Sequence, residues 1–211
     1  MEECRLSEKK KEEETQRVYD SVKNRKEGKT PFLRATTGKT FHFNLYSTDH
    51  VTHCYSSPLY ARKYIEFCNL DDENTEHQPL TERDAQRMYG HICLNADRGC
   101  EFGPFAFPKH AGLDTYRVEC GCGEPGFTIQ FLSDDYLKLQ LPQEIVFNKP
   151  KPPHIPKFFE FVGIRVDFEK VARKRKRERE EREEREEREE REEREEREGM
   201  KPRRPPSPRE S

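Results

Sequence analysis

Gly126-Phe127-Thr128-Ile129-Gln130-Phe131-Leu132 and Tyr136-Leu137-Lys138-Leu139-Gln140-Leu141 decide the fold. Both are short strand-like runs, and the intervening Ser133-Asp134-Asp135 is a turn. Residues 116–120 read the same way, joined on by the turn Gly121-Cys122-Gly123-Glu124-Pro125-Gly126. That turn formally matches G-x-G-x-x-G, but Pro125 precedes its last glycine and a strand follows, so it is a hairpin turn and not a dinucleotide site. Further runs lie at 91–95, 145–147 and 158–167, the last two joined by the proline-rich connector 148–156.

Working toward the amino terminus, residues 40–46 alternate Phe41, Phe43 and Leu45 with His42, Asn44 and Thr40, the period of a half-buried strand. Ser57-Pro58 reads as a cap for a helix to Lys63, and residues 64–70 fit either its continuation or a strand. Asp71-Asp72-Glu73-Asn74 is a polar loop, and Thr81 opens a short helix ending near Tyr89-Gly90. Residues 100–112, with Phe102, Phe105 and Phe107 around Pro104 and Pro108, read as an apolar loop folded over the end of the sheet, the alternative being an exposed recognition loop. Many short strands at this spacing favour a mainly β fold with one or two short helices, an antiparallel sandwich or open barrel.

The chain therefore divides into four parts. Residues 1–30 form a polar helical extension with a narrow apolar patch at Val18, Tyr19 and Val22. Residues 31–168 form the β-rich domain, and residues 169–198 a long, solvated, charged helix. Residues 199–211 are a basic, proline-rich tail without a core to join. From 173 to 198 only arginine, lysine and glutamate occur. From Arg182 to Arg194 each arginine has a glutamate four residues before it and another four after it, neighbours on a helix worth roughly 0.2–0.5 kcal/mol per pair. No apolar residue supplies the buried seam of a coiled coil.

Charge and cysteine usage bound the function. The net charge of -2 gives no single-sign field to steer the molecule to a polyanion. The chain has no apolar run after Met1 and none long enough to cross a bilayer, so nucleus or cytosol is expected and no membrane partner. The seven cysteines are then expected as thiols. Five consecutive cations, Arg173-Lys174-Arg175-Lys176-Arg177, suit an importin groove or a phosphate backbone, although the glutamates that follow weaken the second. Ser207, before Pro208 and after Arg203 and Arg204, is a phosphorylation candidate.

The constellation with ligand chemistry is His91, Cys93, Cys100, His110, Cys120 and Cys122, since zinc takes four sulfur or nitrogen ligands. Its spacing is poor: Cys93 to Cys100 exceeds a knuckle, and Cys120 and Cys122 are separated by one residue. The competing reading makes Cys93 and Cys120 small core residues. Cys54, with His50 and His53 nearby, is a local nucleophile-and-base candidate, disfavoured because adjacent strand residues point to opposite faces. The reading these features support is a non-catalytic intracellular interaction module without a cofactor. The alternative is a nucleic-acid-associated or zinc-stabilised nuclear protein.

Overall fold

The computed structural model describes residues 2–25, 31–33, 40–54, 63–69, 87–95, 98–121, 123–147 and 154–199. The chain divides into two compact units, Met1–Val166 and Asp167–Ser211. Among the described residues the first unit contains a helix, α1 (Glu2–Lys23), and eight strands: β1 (Phe41–Tyr46), β2 (Tyr64–Asn69), β3 (Arg87–Asn95), β4 (Arg98–Ala106), β5 (Tyr116–Val118), β6 (Phe127–Phe131), β7 (Tyr136–Pro142) and β8 (Phe158–Arg165). Two short helices interrupt them, α2 (Thr48–Cys54) after β1 and α3 (Gln143–Val146) after β7.

The strands form one antiparallel sheet in the order β4-β3-β2-β1-β8-β7-β6-β5. From β1 to β4 and from β5 to β8 each strand pairs with the next in sequence, and β1 pairs with β8, Leu45 opposite Gly163. This connectivity is a meander that curls into a nearly closed barrel and leaves β4 and β5 as its edges. At that seam the ladder shrinks to a single bridge, Phe102 opposite Cys120. Two backbone bonds make it, Gly103 N–H to Glu119 O at 3.1 Å and Gly121 N–H to Glu101 O at 3.0 Å. One curled sheet thus replaces the two-sheet sandwich that was the other expected architecture.

Period-two alternation sends one face of every strand inward. Phe43 and Leu45 of β1, Ile65 and Phe67 of β2, Phe127, Ile129 and Phe131 of β6, and Phe159 and Phe161 of β8 are all buried. An eight-stranded barrel is just wide enough for its own side chains to fill, and here aromatic rings do so. Phe67 packs on Phe41, Phe102 and Phe131 with centroids 5.2–5.8 Å apart. Gly90 permits this on β3, because a side chain there would strike the Phe102 ring and the Glu66 carbonyl.

Four expectations change. Residues 100–106 of the supposed apolar loop belong to strand β4, with Phe102 and Phe105 in the core. Gly103 and Pro104 misled the reading; they lie at a register shift, Met88 facing Phe105 and Gly90 facing Phe102, as a bulge on an edge strand where proline is tolerated. Arg87–Gly90 belongs to β3 and not to a helix, since β2 and β4 flank it with ladders. Residues 143–146 are a helical turn and not a strand. His50, His53 and Cys54 lie on α2, where a strand was assumed. Residues 64–69, left open between helix and strand, are β2. The expected helix at 58–62, the loop 71–74, the helix start at 81–86 and residues 148–153 of the connector lie outside the described residues.

The second unit contains α4 (Phe168–Gly199), whose first turn is capped by Asp167 accepting from Lys170 N–H at 2.9 Å. Along it Lys174, Arg177 and Arg182 reach Glu178, Glu181 and Glu186 one turn later at 3.4–3.6 Å. The basic tail at 200–211, with Ser207, lies outside the described residues.

Candidate functional site

The side of α1 that meets the barrel is polar. Residues 8, 12 and 15 recur at helical spacing and face the barrel as Glu8, Glu12 and Thr15, with Glu8 and Thr15 buried. Glu8 receives Lys63 Nζ at 2.8 Å and also accepts the Ser47 backbone N–H. Glu12 accepts Thr48 N–H at 2.7 Å and the Thr48 hydroxyl at 3.0 Å. Two carboxylates from one helix therefore satisfy amides at the start of another, where the N–H groups of α2 have no intrahelical acceptor. Ser47 adds its own hydroxyl, 3.2 Å from His50 N–H.

Farther along, Glu14 accepts the Tyr136 hydroxyl at 2.7 Å and Lys11 at 2.8 Å. The Lys11 bond, then the Tyr136 bond, hold the Glu14 carboxyl below its ordinary range. The same bond to Glu14 pushes the Tyr136 phenol up to about 12. Gln16 accepts from Lys138 Nζ at 2.9 Å, and that ammonium lies 4.3 Å from the Tyr19 ring centre. So α1 docks through Glu8, Glu12, Glu14 and Thr15, and Tyr19 of the apolar patch meets Lys138.

This docking leaves a groove of about 650 Å³. One wall is Glu12, Glu13, Gln16 and Tyr19 of α1; the other is the outer face of the barrel at Thr128, Gln130, Lys138, Gln140 and Glu160. Both charge signs and several amides and hydroxyls line it, so it offers donors and acceptors at many points but concentrates no single charge. Glu160, Gln140 and Thr128 sit side by side on β8, β7 and β6 as register partners.

The local nucleophile candidate sits in the wrong environment for attack. Burial pushes the Cys54 thiol up to about 12, away from thiolate. Burial, then the Lys63 charge, push His50 down to about 3, and its Nε2 has no hydrogen-bond partner among the described residues. His53 stacks edge-on to Phe159 at 6.0 Å. The sequence signal for this buried end was Lys63 itself, a cation sharing the parity of Ile65 and Phe67 and so obliged to find a partner.

The five described sulfur and imidazole candidates do not converge as a group. Cys100 and Cys120 meet, with Sγ atoms 2.7 Å apart. Cys93 faces Gly99 across the β3–β4 ladder, one residue from the Ile92–Cys100 pair, and so lies on the opposite face of the sheet. His91 shares that outer face, opposite Glu101. The His110 ring lies 4.3 Å from that of Phe32, tilted 41° to it, and is exposed. Cys122 lies outside the described residues, and among the described residues no three metal-ligand side chains converge. The basic run Arg173, Lys174, Arg175, Lys176 and Arg177 occupies the second turn of α4 onward. Comparison with protein-family models, with curated proteins and with solved structures finds no match.

Proposed function

We propose that this protein is a non-catalytic interaction module that takes an extended polypeptide segment in the groove between α1 and the outer wall of β6, β7 and β8. The observation that carries this reading is the contrast between the two concavities of the barrel. Among the described residues the interior is packed with buried phenylalanines, whereas the external groove is roomy and lined with amides, hydroxyls and both signs of charge. Such a lining matches the alternating donors and acceptors of a peptide backbone better than a polyanion or an apolar ligand. The buried thiol and histidine of α2 support the non-catalytic reading, since neither is poised to react at neutral pH.

In this reading α4 is a solvated helical spacer, and Arg173 to Arg177 are the address that an importin-type acidic groove would read, placing the protein in the nucleus. Nucleic-acid association through the same cations is the second reading. It is weakened by Lys174, Lys176 and Arg177 already facing Glu178, Glu180 and Glu181.

The test is selection of peptides from a random displayed library on the full-length protein, followed by calorimetric titration against wild type and Gln140→Trp. Filling the groove floor with an indole should reduce affinity at least tenfold, about 1.4 kcal/mol. Peptides that bind both proteins equally, or a library that yields no binder, would remove the groove from consideration.

A further inference from the structure

Cys100 lies on β4, an edge of the barrel, and Cys120 two residues beyond β5, the opposite edge. Phe102 and Cys120 are bridge partners, so Cys100, Phe102 and Cys120 share the inward face across the seam. Cys100 is 3% exposed and Cys120 is half-buried against the core. Their sulfurs are 2.7 Å apart, closer than non-bonded sulfurs pack and about 0.7 Å beyond the ~2.05 Å of a disulfide. We propose that Cys100 and Cys120 are a modification site, a dithiol that a peroxide closes into a disulfide, stapling the seam of the barrel.

The chemistry balances within the site. The Cys120 thiolate attacks one oxygen of hydrogen peroxide, the O–O bond breaks, and hydroxide leaves to take a proton. Cys100, as thiolate, then attacks the resulting sulfenic sulfur and expels the second oxygen as water. Two thiols and one peroxide become one disulfide and two waters, and two electrons pass from sulfur to oxygen. The division of labour follows from exposure: the half-buried sulfur meets the oxidant and the buried one resolves the sulfenic acid. The Cys100 thiol donates to Cys120, and this bond holds Cys120 below the ordinary cysteine range despite burial and the nearby Glu124 and Glu119 charges.

The location gives the bond its consequence. Elsewhere neighbouring strands are joined by ladders, while between β4 and the residues after β5 the described backbone pairing is one bridge, made by two hydrogen bonds. A covalent link there closes a loop of roughly 20 residues and ties together the two edges at which the barrel would open first. A thiol pair in a reducing compartment is thereby a reversible fastener for the fold.

The experiment uses full-length protein, freed of metal by a chelator, held either in dithiothreitol or exposed to hydrogen peroxide. Expected in the oxidised sample are a mass loss of two hydrogens and a Cys100–Cys120 linked peptide after digestion. Thermal unfolding should rise by roughly 5–10 °C, and exchange at the Gly103 and Gly121 amides should slow. Cys120→Ser should lose the mass change and the gain in melting temperature together. If that variant fails to fold, the wild-type peptide map and exchange data decide alone. A disulfide through Cys122 or any other cysteine overturns the proposal, as does over-oxidation of Cys120 without cross-linking. So does thiol reactivity that appears only once the chelator strips a metal, or a cross-link that leaves melting and exchange unchanged.

Discussion

Lys63 Nζ stands 2.8 Å from Glu8 Oε2, with the two side chains only 2% and 5% exposed, joining the amino-terminal helix to the start of β2. A buried pair of this kind is costly to break from one side, because the surviving charge stays in the interior. Glu8→Ala is expected to destabilise the first unit by about 3–5 kcal/mol, leaving both Lys63 and the Ser47 amide without this acceptor. Replacing both partners, Glu8→Leu with Lys63→Met, should recover most of the loss. A double-mutant cycle by denaturant unfolding measures the coupling; additive effects would mean that α1 is not held by this pair.

His50 should make the protein acid-labile. Its folded value of about 3 lies below the ordinary 6.5, so between those values the unfolded chain binds a proton that the folded chain refuses. Stability from this group is complete above about 6.5 and is lost as the pH falls toward about 3, by an amount on the order of several kcal/mol. His50→Phe keeps a ring against Phe161, 5.4 Å away, and removes the unpartnered Nε2. Unfolding midpoints across that window should slope in wild type and flatten in the variant, and parallel slopes would refute the assignment.

Phe131 is 1% exposed and packs on Phe107 at 4.8 Å and Phe67 at 5.8 Å. Phe131→Ala should cost about 3–5 kcal/mol, a large fraction of a domain's stability. Truncation after Val166, the end of the first compact unit, should cost within about 0.5 kcal/mol. A truncated chain that melts much earlier would show that the barrel depends on the charged segment.

The charged segment itself should be helical as a monomer. Its ion pairs are exposed, so salt should screen them and circular dichroism of the 168–199 peptide should lose helix between low and high ionic strength. Ellipticity that rises steeply with peptide concentration would indicate self-association instead of a spacer.

Replacing Arg173, Lys174, Arg175, Lys176 and Arg177 with alanine is expected to shift a protein carrying a large fluorescent tag from nucleus to cytosol. The tag must be large because a 25.2 kDa chain is small enough to diffuse through pores. The barrel should unfold at the same midpoint in both versions. Unchanged distribution would leave the run as an ordinary part of the helix.

What the sequence determined by itself is periodic. Alternation at Phe41, Phe43 and Leu45 and in the 126–141 hairpin sets β1, β6 and β7, because a pleated strand exposes successive side chains to opposite faces whatever its partner. Only the tertiary structure decided what depends on partners far along the chain. The choice of barrel over sandwich rests on β1 meeting β8, more than a hundred residues away. The role of α1 stayed hidden because its docking stripe is Glu8, Glu12 and Thr15, a pattern that reads as solvated until Lys63 and the amides of Ser47 and Thr48 stand opposite. β4 was obscured by Gly103 and Pro104, which only an edge strand tolerates, and edge status is a property of the whole sheet. The β3–β4 register puts Cys93 and Cys100 on opposite faces, and closure brings Cys120 to Cys100, since a seam exists only once the sheet has curled far enough for its ends to meet.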